Sequence, residues 1–247
     1  MFKKIALAVV IILVVALAAA YFIRNMLVEK AVEAGSAYAL GVKTDLGSAG
    51  LEIRGGSLEL NDLAVRNPEG FKADNFLTLR HGMFDVRAGS VLDDEVVVDS
   101  FIIEGITLNL EQIDNKGNYQ VLLDNIRQLD MSSSEESRKF RIGLIALRDI
   151  NVTGSLNLLG KEMEKSFTLE NFSMHDVGSD KGAKIGEITA TVVKALITKA
   201  LAAGNGVLPE GFGKNLSVLK DQGLEKIEAE AKNKLNDLGE SIIKDNK

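Results

Sequence analysis

The sequence predicts a mainly β domain with helices: a curled antiparallel or mixed β-sheet groove, preceded by an N-terminal transmembrane helix and followed by C-terminal amphipathic helices. Three observations predict it. Residues 5–23 carry no charge, residues 44–169 alternate apolar and polar side chains, and residues from 185 onward return to helical spacing.

The first element reads IALAVVIILVVALAAAYFI. As a helix rising about 1.5 Å per residue it nearly matches a hydrocarbon core of roughly 30 Å. Lys3 and Lys4 precede it, so residues 1–4 are expected in the cytoplasm and everything after Arg24 on the other side. A cleaved signal peptide is the alternative, since Ala16, Ala18 and Ala20 supply small residues. Tyr21, Phe22 and Ile23 extend the apolar character beyond them, and helix-favouring residues continue to Ala34, which favours a continuous anchor. Residues 24–43 are then a helical linker, and both readings deliver the domain to the same compartment.

Residues 44–184 form the expected β domain. Leu58 and Leu60 alternate with Ser57, Glu59 and Asn61; Ile106, Leu108 and Leu110 with Thr107, Asn109 and Glu111. Ile150, Val152, Gly154, Leu156 and Leu158 do the same among Asn151, Thr153, Ser155 and Asn157. Turn residues at 55–56, 67–70, 114–118 and 160–161 separate these runs, and such short connections predict antiparallel neighbours. Residues 131–138 (MSSSEESR) lack apolar periodicity and read as a flexible loop.

The helical C-terminal region spans 185–247. Ile188, Val192, Ala195, Leu196 and Ala203 are predicted on one side of a first helix, with Lys199 on the same stripe. The glycines between 204 and 213 break it. Leu224, Ile227, Ala231, Leu235, Leu238 and Ile242 then mark a second, amphipathic helix over 224–242.

Composition excludes several functions. No cysteine is present, which removes disulfides, thiolate metal sites and cysteine nucleophiles. The net charge of −6 is scattered, so no nucleic-acid partner is expected. No nucleotide-binding, metalloprotease or nucleophile-elbow motif occurs, and the glycine triplets at 204–206 and 211–213 follow no strand that would make a phosphate cradle. His81 and Asp85 lie about 13 Å apart along a strand, too far to share a metal, and His175 stands near a turn. The acidic run 93–95 and the turn 114–118 read as solvated turns, since they lack the oxygen spacing of a calcium loop. The expectation is a non-enzymatic protein with no metal and no cofactor.

The one-sided strands leave two outcomes open. Their apolar faces either pack into a dry core or line a trough open to acyl chains. The candidate lipid-contact residues are Leu58, Leu60, Ile106, Leu108, Leu110, Val152, Leu156 and Leu158.

The order of features resembles the AsmA-like family of bacterial inner-membrane-anchored periplasmic proteins. The resemblance rests on the membrane segment, Leu40-Gly41-Val42, the run SLELNDLAVRNPEGF at 57–71, ITLNLEQ at 106–112, Gly117-Asn118-Tyr119 and Leu122-Leu123. It covers about the first half of the chain, in degenerate patterns. It implies a groove with an aliphatic interior, a bacterial inner-membrane location with a periplasmic domain, and a part in outer-membrane biogenesis or phospholipid transport. No enzyme activity comes with it. Larger relatives stack many more strands, whereas about ten here, at about 4.8 Å each, would make a groove only about 50 Å long. The expected partners are membrane lipids, bound or shielded along that groove. The alternative is a non-transporting scaffold or assembly factor that meets another envelope protein through the C-terminal helix.

Overall fold

The computed structural model describes residues 25–52, 55–91, 93–132, 139–178, 182–209 and 212, the side chains of 129–132 and 185 excepted. The segment 5–23, residues 133–138 of the expected loop and the helix expected over 224–242 lie outside the described residues. Among the described residues no helix is long and apolar enough to cross a membrane. The elements below belong to one unit, Met1–Pro209.

Helix α1 covers residues 25–40. Strands β1 (Thr44–Glu52), β2 (Ser57–Arg66), β3 (Asn75–Val86) and β4 (Glu95–Ile113) follow as an antiparallel meander across short turns. The two-residue β5 (Lys116–Gly117) folds back on β4. Helix α2 (Asn118–Ser132) comes next, and β6 (Lys139–Leu158) returns parallel to β4. A parallel neighbour requires a crossover of this kind, and it makes the sheet mixed, one of the two forms expected. The helix also claims residues 131 and 132 from the expected loop. Strands β7 (Lys161–Leu169) and β8 (Phe172–Val177) pair with successive halves of β6, and α3 (Ile185–Ala203) follows. The sheet is mixed and not closed, in the order β1-β2-β3-β4-β6-β7 with β8 also on β6.

An irregular row crosses the sheet at the middle of its long strands. Buried positions in β4 run 101 and 103, then 106, 108 and 110; in β6 they run 145 and 147, then 150, 152, 154 and 156. A step of three replaces the step of two at the same place in each strand. The residues skipped are Gly47, Asp62, Arg80, Gly105 and Asp149, which lie between the paired positions of adjacent strands. Asp62, Gly105 and Asp149 have φ of 54°, 71° and 51°. Aspartate and glycine are residues that tolerate this left-handed region. Each turns its strand so that the next aliphatic side chain stays on the same face, and a side chain at Gly105 would also meet the Arg80 side chain. The strands change phase together, so one continuous apolar face survives on both sides of the row.

That face is covered by the chain's own helices. Helix α2 lies against β4 and α3, and α3 against β6 and β7. Helix α2 buries Tyr119, Leu122, Leu123 and Ile126, while α3 buries Ile188, Val193, Leu196, Ile197, Ala200 and Leu201. The α3 stripe differs from the expected one: Val192 and Ala195 are half-buried, and Ala203 and Lys199 are exposed. A helix apolar on nearly every side does not specify its buried face by periodicity. Lys199 instead sets its ammonium 5.2 Å from the centre of the Phe172 ring. Beyond α3, Leu208 fills the space left by Gly154, where any Cβ would collide with it.

Helix α1 protects the β1 edge. Asn25, Glu29 and Glu33, spaced four residues apart on one helical face, accept hydrogen bonds from the backbone N–H groups of Leu51, Ala49 and Leu46 at 3.3, 3.0 and 3.0 Å. These donors would otherwise form an open edge ready to pair with another strand. The next faces of α1 set Val28 and Val32 against Leu46, Ala49 and Leu60. The helix ends at Gly41, whose φ of 66° closes the last turn, and Asn125 of α2 donates to the Leu40 carbonyl at 2.8 Å.

The edge bonds carry a pH dependence. The hydrogen bond from Lys30, and then that from the Leu46 amide, hold the Glu33 carboxyl below the usual carboxylate range. A lowered folded pKa gives stability that is present above the unfolded value of about 4.3 and disappears as pH falls through the folded value. The protection factor of the Leu46 amide is therefore expected to fall as the pH drops below the ordinary glutamate range. Glu33→Gln should remove that dependence, and hydrogen exchange read by NMR against an unaffected core amide such as Leu108 checks it.

Candidate functional site

The eight aliphatic candidates come to one face, though not to one kind of environment. Ile106, Leu108, Leu110, Val152 and Leu156 are 0–2% exposed and Leu60 3%. Leu108 is paired in register with Leu77 on one side and Val152 on the other. Leu58 is half-buried against the α1 contact formed by Leu46, Ala49 and Leu60. Leu158 alone is open, at 46% exposure, beside the β6–β7 turn. Seven of the eight are thus packed among the protein's own side chains, as in a dry core.

The motif residues behind the family resemblance converge on a second feature, a buried polar network. Asn118, fully buried at the start of α2, accepts from the Glu111 and Tyr119 backbone N–H groups at 2.9 and 2.7 Å. Its amide donates to Asn67 Oδ1 at 3.0 Å and to the Asn109 carbonyl at 2.8 Å. The buried Glu111 carboxylate accepts from Asn67 Nδ2 at 2.6 Å and from the Lys72 and Ala73 backbone N–H groups, both at 2.8 Å. Tyr119 donates to Gln112 Oε1 at 3.2 Å. The 67–74 turn, the end of β4 and the start of α2 are joined there. Every polar group named has a partner within the chain, which is the condition for burying it without a large desolvation penalty. Chemically this is a fixing device, and its residues are engaged with one another.

The histidines sit on the polar side of the sheet. A register row across five strands reads Ser48, Asn61, His81, Glu104 and Arg148. His81 Nδ1 lies 2.8 Å from Asn61 Oδ1, and Arg148 donates to Glu104 at 3.2 Å. Across the irregular row Arg80 pairs with Asp149 at 3.2 Å. His175 Nε2 lies 3.3 Å from Ser173 Oγ on the exposed β8. His81 thus has a carboxylate as its register neighbour, but its bonded partner is an amide. Among the described residues no group of three or more acidic or histidine side chains is placed to hold a metal ion.

Periodicity alone missed the network, because its members are polar residues spread over 67–119. The quoted motifs contained every side chain in it, and two asparagines, a glutamate, a glutamine and a tyrosine beside aliphatic runs were the available signal. A comparison with protein-family models finds no match, and neither does a comparison with curated protein sequences.

Proposed function

We propose that the chain is an AsmA-like, membrane-tethered protein of the cell envelope that works as a scaffold, without holding acyl chains along its sheet. One observation carries this choice: Ile106, Leu108, Leu110, Val152 and Leu156, the best candidates for a lipid-lined wall, are sealed beneath α2 and α3. A wall that binds acyl chains has to offer its aliphatic side chains to them, and side chains at interior packing density are already occupied. The tether is the uncharged segment 5–23, which would place the β domain in the periplasm. Its work there is done by surfaces and not by a catalytic group.

The test is lipid analysis of the full chain, purified in detergent and exchanged extensively, by mass spectrometry of the organic extract. Less than one phospholipid per ten chains is expected at about the background of a single-span control protein. One or more phospholipids retained per chain would overturn the scaffold reading in favour of acyl-chain shielding.

A further inference from the structure

The β6–β7 hairpin ends in an apolar point that nothing in the packing requires. Leu158 and Lys161 are paired across a two-residue turn made of Leu159 and Gly160. Their φ values of 51° and 80° are those of a type I′ turn, which asparagine and glycine fit best. Leucine in this left-handed conformation is costly, and here its side chain is 91% exposed. A strained residue whose side chain is almost wholly exposed is a reason to look for a contact outside the fold. Leu158 and Met163 continue the apolar surface, at 46% and 43% exposure.

The charges around the point are sorted. Strand alternation puts Lys161, Met163 and Lys165 on the face of β7 shared with Leu158, and Glu162 and Glu164 on the opposite face. Glu162 is further engaged by Lys72 at 2.6 Å. Two lysines thus flank the leucines and methionine with no carboxylate of β7 between them. Apolar tips with lysines beside them suit a bilayer surface, where side chains enter the acyl boundary and ammonium groups remain at the anionic headgroups.

We propose that the Leu158-Leu159 turn inserts into the surface of an anionic lipid bilayer, with Lys161 and Lys165 at the headgroups. This site is separate from the sheet interior, so it goes beyond the scaffold reading and stands or falls independently of it. It is also remote from the start of α1. Asn25 bonds at Leu51, whose register row passes through Leu58, Phe84 and Phe101 to Ile145. From that row to Leu158 the sheet extends about 40 Å along β6, at roughly 3.3 Å per residue.

The chain has no cysteine, so Met163→Cys provides a single labelling position for an environment-sensitive fluorophore. The full chain is reconstituted in phosphatidylcholine nanodiscs, which occupy the apolar segment 5–23, and mixed with vesicles of phosphatidylglycerol and phosphatidylcholine. The label is expected to shift to the blue and to be quenched by brominated acyl chains in the vesicles. Leu159→Asn fits the turn better than leucine while removing the apolar tip, so the fold is retained, and it should weaken vesicle binding at least about tenfold. Lys161→Glu with Lys165→Glu should abolish the preference for phosphatidylglycerol. An unchanged signal with Leu159→Asn, equal binding to pure phosphatidylcholine vesicles, or a shift that tracks self-association of the chains would each overturn the proposal.

Discussion

Asn118→Ala is expected to destabilise the domain by about 3 kcal/mol or more, a large part of the 5–15 kcal/mol typical of folded proteins. The side chain is fully buried and makes four hydrogen bonds. Its removal leaves the buried Glu111 N–H without an acceptor and takes one partner each from the Asn109 carbonyl and Asn67 Oδ1, both on half-buried residues, at about 1–3 kcal/mol for a buried group left unsatisfied. The Tyr119 N–H also loses its acceptor at the first turn of α2. Asn67 in turn orients toward Glu111, so the damage should spread to the 67–74 turn. Denaturant unfolding measures the total, and hydrogen exchange at the Lys72 and Ala73 amides measures the local part. A loss under about 1 kcal/mol with both amides still protected would mean that the network does not hold the turn.

Much of this architecture was legible from residues alone. The strands at 57–66, 106–113 and 150–158, the turns between them and the helix beginning at 185 follow from patterns that water and backbone geometry impose locally. What stayed hidden was the continuity of β4 and β6, which are 19 and 20 residues long. Alternation was readable only from Ile106 and from Ile150, directly after Gly105 and Asp149, where the phase changes. A strand that shifts its phase looks like two short strands to any rule based on a period of two.

A signal for the shift was nevertheless present. Leu60-Asn61-Asp62-Leu63, Ile103-Glu104-Gly105-Ile106, Leu147-Arg148-Asp149-Ile150 and Met174-His175-Asp176-Val177 share one pattern: apolar, polar, Asp or Gly, aliphatic. In all four the third residue has a positive φ. Helix α2 has its own signal in the helical spacing of Tyr119, Leu122, Leu123 and Ile126, which begins directly after the turn-forming 114–118 cluster. The candidate residues share one face of the sheet. Their coverage was not readable, because it depends on how α2 and α3 dock, and such tertiary contacts leave no period in the strands.

The most direct measurement of whether that face is closed is the unfolding free energy of the full chain carrying Leu108→Ala. Leu108 is fully buried between Leu77 and Val152, with α2 lying against its strand. In a close-packed interior the substitution removes both transfer energy and packing, and leaves a cavity that neighbours only partly fill. A loss of about 2–5 kcal/mol is expected, equal with and without added phospholipid. A loss below about 1 kcal/mol, the behaviour of a side chain on an open wall, would contradict the sealed interior on which the scaffold reading depends.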